Sequence, residues 1–202
     1  MKKAIRHLFY IGLSAQLLSA CNSTSDPAKY LKAIQENKAV NKTVSIGNIE
    51  YGFKIVTPEA MALKFAEQEG HIDKSVYESR LKDLKGNLFL NIDMQLTDHS
   101  GTVLKYQLKN QGDYEQRVMY YEFYAKNDLK VSCDGEPVPI KSYEYENRQG
   151  LSPYNTMVLV FPVDKLQDHL QVTFNDRAFN NLFIKADFKK SDINHLPSFT
   201  LN

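Results

Sequence analysis

Tryptophan is absent from the 202 residues, and cysteine occurs twice, as Cys21 and Cys133. With at most one disulfide available, a cysteine-stapled scaffold is excluded, and the fold must stand on an apolar core. The Cys and Trp hallmarks of antibody-type domains are missing as well. Nine glycines and seven prolines are too few for a collagen-like or low-complexity chain. A membrane-crossing helix needs roughly 20 apolar residues, and no run in the sequence reaches that length. The chain has no Gly-rich phosphate loop, His-Glu-x-x-His pair, Cys-x-x-Cys or Gly-x-Ser-x-Gly elbow, so no cofactor or metal is called for. A formal charge of +1 does not suggest a nucleic-acid partner.

What is present begins at the N-terminus. Lys2, Lys3 and Arg6 precede an apolar stretch from Leu8 to Leu18, the charge and length pattern of a secretory signal. The stretch ends in Leu18-Ser19-Ala20-Cys21, which resembles the lipobox of bacterial lipoproteins. The resemblance covers the signal alone. It implies that Leu18, Ser19 and Ala20 are read by the lipoprotein signal peptidase and that Cys21 becomes the acylated first residue of the mature chain. It further implies attachment to a membrane in the cell envelope, and Asn22 in place of an aspartate implies the outer membrane under the enteric-type sorting rule. Two or three acyl chains hold essentially permanently, where one holds only marginally. Processing removes three cations, Lys2, Lys3 and Arg6, and turns the formal charge from +1 to −2.

Residues 21–42 read as lipidated N-terminus, polar spacer and short helix, the last opened by Asp26-Pro27 with Tyr30, Leu31 and Ile34 on one face. Such a segment would serve as a stalk or docking helix. The domain then occupies residues 43–202. Ile49, Tyr51, Phe53 and Ile55 alternate with polar or small residues as in a half-buried strand. Two helices follow as an insertion over residues 57–86, the first begun by Thr57-Pro58 and ended by Gly70, the second running from Asp73 to Gly86. From Asn87 onward the pattern is all-β. Strands are expected over 88–96, 104–108, 116–125, 129–133, 142–146, 156–161, 170–174 and 184–188, with Pro137 and Pro139 at an edge or irregular position. For residues 116–125 the alternation puts Met119, Tyr121, Phe123 and Ala125 on the core side. The apolar run from Thr156 to Phe161 suits a central strand covered on both faces, and the tail from Ser191 to Asn202 returns to turn chemistry.

About nine short strands with one helical insertion predict a mainly β fold, an antiparallel β-sandwich that is immunoglobulin-like in the broad sense. In plan, a lipid-anchored sandwich with an added helical element is similar to the small outer-membrane lipoproteins of secretion assemblies, a likeness of architecture only.

Candidate functional groups are sparse. Asp98-His99-Ser100 has the composition of a catalytic triad, but three adjacent turn residues do not form a nucleophile–base–orienter chain. His71 and Asp73 supply two ligands at most, short of a metal site, and Cys133 has no basic neighbour to activate it. Tyrosine stands out, with 12 residues. Tyr120 and Tyr124 fall opposite the expected core face, and Tyr114 and Tyr154 lie near loops, where tyrosine offers contact area together with a hydroxyl. The reading is a lipid-anchored, non-catalytic binding or structural module for an envelope protein or a glycan. The alternatives are an envelope hydrolase assembled from dispersed groups such as His71, Asp73, Asp98 and His99, or an apolar-ligand carrier with a cavity between its sheets. Nothing in the sequence sets the oligomeric state.

Overall fold

The computed structural model describes residues 23–147, 152, 154–180 and 183–201. Leu18, Ser19, Ala20 and Cys21 lie outside the described residues, as does the rest of the signal. Three short elements open the fold: β1 (Ser23–Thr24), α1 (Pro27–Glu36) and β2 (Asn41–Ile46). Next come β3 (Ile49–Val56), α2 (Pro58–Ala66), β4 (Glu67–Gln68), β5 (His71–Ile72), α3 (Lys74–Leu84) and β6 (Asn87–Leu96). After α4 (Gln111–Met119) the chain forms β7 (Leu129–Cys133), β8 (Glu136–Val138), β9 (Ser142–Glu146) and β10 (Asn155–Pro162). It closes with β11 (His169–Phe174), β12 (Ile184–Lys189), α5 (Lys190–Asn194) and β13 (Ser198–Phe199).

Two antiparallel sheets make the sandwich, one of five strands in the order β2-β3-β6-β10-β9 and one of four in the order β12-β11-β7-β8. The expected alternation is the reason. In β3, Ile49, Tyr51, Phe53 and Ile55 are buried while Glu50, Gly52 and Lys54 face the other way, and β11, β12 and the part of β6 from Leu90 onward repeat the pattern. The inward faces meet in one core that includes Phe53, Ile92, Met94, Leu159, Val172 and Phe188. Across it, the Tyr51 and Phe174 rings stand edge to face at 6.3 Å. Asp134 and Gly135 both have positive φ, 49° and 90°, and make the tight turn between β7 and β8. Pro137 lies in β8 at the edge of its sheet, where a missing N–H costs no ladder bond. β10 pairs on both sides with β6 and β9 and is buried on both faces, although it is next to the edge of its sheet and not its middle strand.

The inserted helices pack on the outer side of the five-stranded sheet and build a second core. Tyr30 and Ile34 of α1 meet Ala62, Leu63 and Ala66 of α2, with Tyr77 of α3 and Phe199. Phe199 sits 5.2 Å from the Tyr30 ring and 5.6 Å from Tyr77. The Tyr30 hydroxyl and Thr57 Oγ1 share a buried 2.6 Å hydrogen bond. Burial pushes the Tyr77 phenol up to about 12. β1 pairs in parallel with β13, so the start of the described chain is fastened to its end. The first inserted helix stops at Ala66, short of Gly70, because a small β4–β5 hairpin turns through Glu69 and Gly70, both at positive φ.

Two expected strands are helical. Residues 104–108 begin inside a 3-10 turn, Val103–Lys105, and residues 116–125 continue α4 into a π-helical turn at Tyr120–Tyr124. Asn110 begins this helix by accepting the Asp113 N–H, while the Asp113 carboxylate accepts the Lys109 N–H. Tyr114, Val118, Tyr121 and Ala125 then recur at helical spacing, and these four meet the core. Of the core face expected from alternation, Tyr121 and Ala125 are buried, but Met119 and Phe123 are exposed at 50% and 58%. β2 was not expected as a strand; its polar alternation, Asn41 to Ile46, leaves it only part-buried. No described helix is long and apolar enough to cross a membrane.

Candidate functional site

The period-two alternation that fills the core also sends a set of polar side chains to the outer face of the five-stranded sheet. Antiparallel register aligns Lys54 with Asn91, and Gly52 with Asp93 and Thr156. Helices α1 and α2 rise beside these rows and leave a groove of about 490 Å³, floored by the sheet and walled by Leu31, Ile34, Ala60 and Met61. Asn41 closes one end by donating its side-chain amide to the carbonyls of Ile34 and Asn37, which holds the C-terminus of α1 against β2.

Four of the charges in the groove are matched to one another, while Glu67, exposed at its rim, has no ion-pair partner among the described residues. Lys54 Nζ lies 2.6 Å from Asp93 Oδ2, and Thr156 Oγ1 donates to Asp93 Oδ1, also at 2.6 Å. Lys64 of α2 reaches Glu146 of β9 at 3.3 Å. Partly exposed pairs of this kind are each worth about 0–1 kcal/mol, so they contribute chiefly by fixing side-chain positions. One polar atom is left over: Asn91 Oδ1 is buried without a hydrogen-bond partner among the described residues. Tyr154 lines the same groove, its ring centroid 6.0 Å from Lys54 Nζ.

A second polar cluster lies inside the sandwich. Asp176 is fully buried and accepts the hydroxyls of Tyr51 at 2.8 Å and Tyr121 at 2.7 Å, together with the Ala178 N–H at 3.0 Å. Burial raises its carboxyl above the usual range, against the lowering effect of Tyr121 and Tyr51. The phenols of Tyr121, Tyr143 and Tyr145 are likewise pushed up by burial. Tyr145 stacks on Tyr121 at 5.4 Å, and Tyr143 donates to the Tyr121 carbonyl. The cluster ties β3, the π-helical turn and the loop after β11 together. Its closure from solvent suits a structural fastening and leaves no approach for a ligand.

The four tyrosines singled out by sequence are dispersed. Tyr114 packs part-buried against the core, and Tyr124 is 54% exposed beside Phe123. Tyr120 accepts the Arg177 N–H and faces the Asp128 carboxylate at 3.1 Å, an internal tie. Tyr154 alone among them lines the groove.

The acids and histidines are locally engaged. Asp73 caps α3 by accepting the N–H groups of Ser75 and Val76 and the Ser75 hydroxyl, which hold its carboxyl below the usual range. Asp98 accepts the Ser100 N–H, and His99 sits in that turn at φ 54°. No group of three or more His, Cys, Asp or Glu able to hold a metal occurs among the described residues. Cys133 is buried, and its sulfur accepts the Gln167 N–H. Replacing the cap, Asp73→Ala, is expected to lower the midpoint of chemical denaturation, and an unchanged midpoint would contradict the capping role.

The groove residues Lys54, Asn91, Asp93, Lys64, Glu146 and Thr156 escape a motif search because each reads only as the polar half of an alternating strand or as a helix surface position. The available signal was indirect: a helical pair inserted between adjacent strands has to cover part of the outer sheet face.

No family model and no curated protein matches the sequence. Among solved structures, the chain is similar to a DUF4426 family protein from Pseudomonas aeruginosa PAO1, at 10% identity and a TM-score of 0.33, over 75% of this chain and 93% of that one.

Proposed function

We propose that this chain is a lipid-anchored protein of the bacterial envelope, most plainly of the outer membrane, whose sandwich is a non-catalytic binding module for a glycan or protein partner. The anchor reading is supported by the cationic start, the apolar stretch and Leu18-Ser19-Ala20-Cys21. The binding reading is carried by the groove, in which two ion pairs and an apolar wall lie beside Asn91, whose Oδ1 is buried without a hydrogen-bond partner among the described residues. The two readings fit one another. Ser23 of β1 follows Cys21 by two residues, a link of about 7 Å when extended. With α1 packed into the second core, lipid at Cys21 would hold the domain close to the bilayer, and the groove walled by α1 would stay near that surface.

Cys21→Ala tests the tether. The variant is expected to move from the membrane to the soluble fraction with its thermal unfolding unchanged. Retention on membranes through a high-salt wash would contradict the reading.

A further inference from the structure

We infer that the groove over the outer face of the five-stranded sheet binds a neutral saccharide of one or two pyranose rings. The inference rests on the binding-module reading and gives it a ligand class. Lys54 is paired with Asp93 and Lys64 with Glu146, so an anionic ligand would have to break an existing pair to be matched, and the one acid left over, Glu67, is exposed at the rim, away from the floor. A neutral polyhydroxyl ligand can instead add its hydroxyls to those that already hydrogen-bond there, such as Thr156 on Asp93. Asn91 lines the groove, and its Oδ1 is buried without a hydrogen-bond partner among the described residues; once the amide turns toward the groove, a sugar hydroxyl supplies the missing donor without bringing charge.

The groove is two-sided in chemistry. Its floor is polar, while its helical wall presents Leu31, Ile34, Ala60 and Met61, and a pyranose likewise carries an apolar C–H face beside its ring of hydroxyls. The aromatic ring of Tyr154 gives such a face a surface to stack on. Adjacent strands stand about 4.8 Å apart, close to the span between hydroxyls on opposite sides of a pyranose. A volume of about 490 Å³ admits one or two rings. An extended peptide is the poorer fit, because strand addition needs a free sheet edge, and β3, β6 and β10 under the groove are all paired on both sides.

The test is saturation-transfer NMR on the detergent-solubilised mature protein, with maltose, N,N′-diacetylchitobiose and the dipeptide Ala-Ala as probes. At least one disaccharide should receive transfer and titrate to saturation. Asn91→Leu and Tyr154→Ala should each weaken that binding about tenfold, while Tyr124→Ala, outside the groove, leaves it unchanged, all three keeping the wild-type unfolding midpoint. No transfer to either sugar, or transfer indifferent to both groove variants, overturns the inference. Transfer to Ala-Ala in place of the sugars overturns the saccharide class and leaves the binding module standing.

Discussion

Asp176→Ala is expected to lower the unfolding free energy by about 3 kcal/mol. The substitution removes the carboxylate that accepts the hydroxyls of Tyr51 and Tyr121, both buried, and the Ala178 N–H. An unsatisfied buried donor costs about 1–3 kcal/mol. Asp176→Asn keeps an acceptor for the tyrosines and should lose less. Urea denaturation of the three proteins checks the order, and a variant pair as stable as the wild type would show that the cluster does not fasten the sheets.

The same carboxyl sets a pH dependence. Burial raises the folded-state pKa of Asp176 above its ordinary 3.8, so the folded protein holds this proton more tightly than the unfolded chain does. Its contribution to stability is therefore full below 3.8 and is lost as pH rises through the folded-state value. Asp176→Asn has no proton to lose at this position. The difference in unfolding free energy, wild type minus Asn variant, should fall as pH rises from below 3.8 and then level off. A difference that grows with pH would mean that the tyrosine hydrogen bonds outweigh the burial.

Phe199→Ala is the second large effect. Phe199 stands 5.2 Å from the Tyr30 ring and 5.6 Å from Tyr77, at the meeting point of α1, α3 and β13. Truncating a buried phenylalanine costs about 3–5 kcal/mol, part of it from the cavity left behind. The loss should fall on the second core, since the main core between the sheets has its own contacts. Hydrogen exchange is then expected to show lost protection in α1 and the β1–β13 pair with β3, β6 and β11 still protected. Uniform loss over both sheets would contradict the separation of the two cores. For a lipid-anchored chain, undocking α1 would also lengthen the tether and open one wall of the groove.

Much of the sandwich was legible because a strand with one face in the core must alternate, as β3, β11 and β12 do and as β6 does from Leu90 onward. The helical pair was legible through Thr57-Pro58, Asp73 and Gly86, residues whose chemistry belongs to helix ends. Residues 116–125 misled because they satisfy both periods at once. Met119, Tyr121, Phe123 and Ala125 alternate, while Tyr114, Val118, Tyr121 and Ala125 recur at three or four. The Asn110 and Asp113 caps and the long-range hydrogen bond from Tyr121 to Asp176 decide for the helix. β2 was hidden by its polarity. The groove could not be read from any single stretch, since Lys54, Lys64, Asn91 and Glu146 come from four elements and owe their proximity to α2 lying across the sheet.

Intact-mass spectrometry of the protein extracted from bacterial membranes tests the central claim most directly. The expected species begins at Cys21 and carries acyl chains on that residue. A chain that begins elsewhere, or that bears an unmodified Cys21, would contradict the lipid-anchored reading.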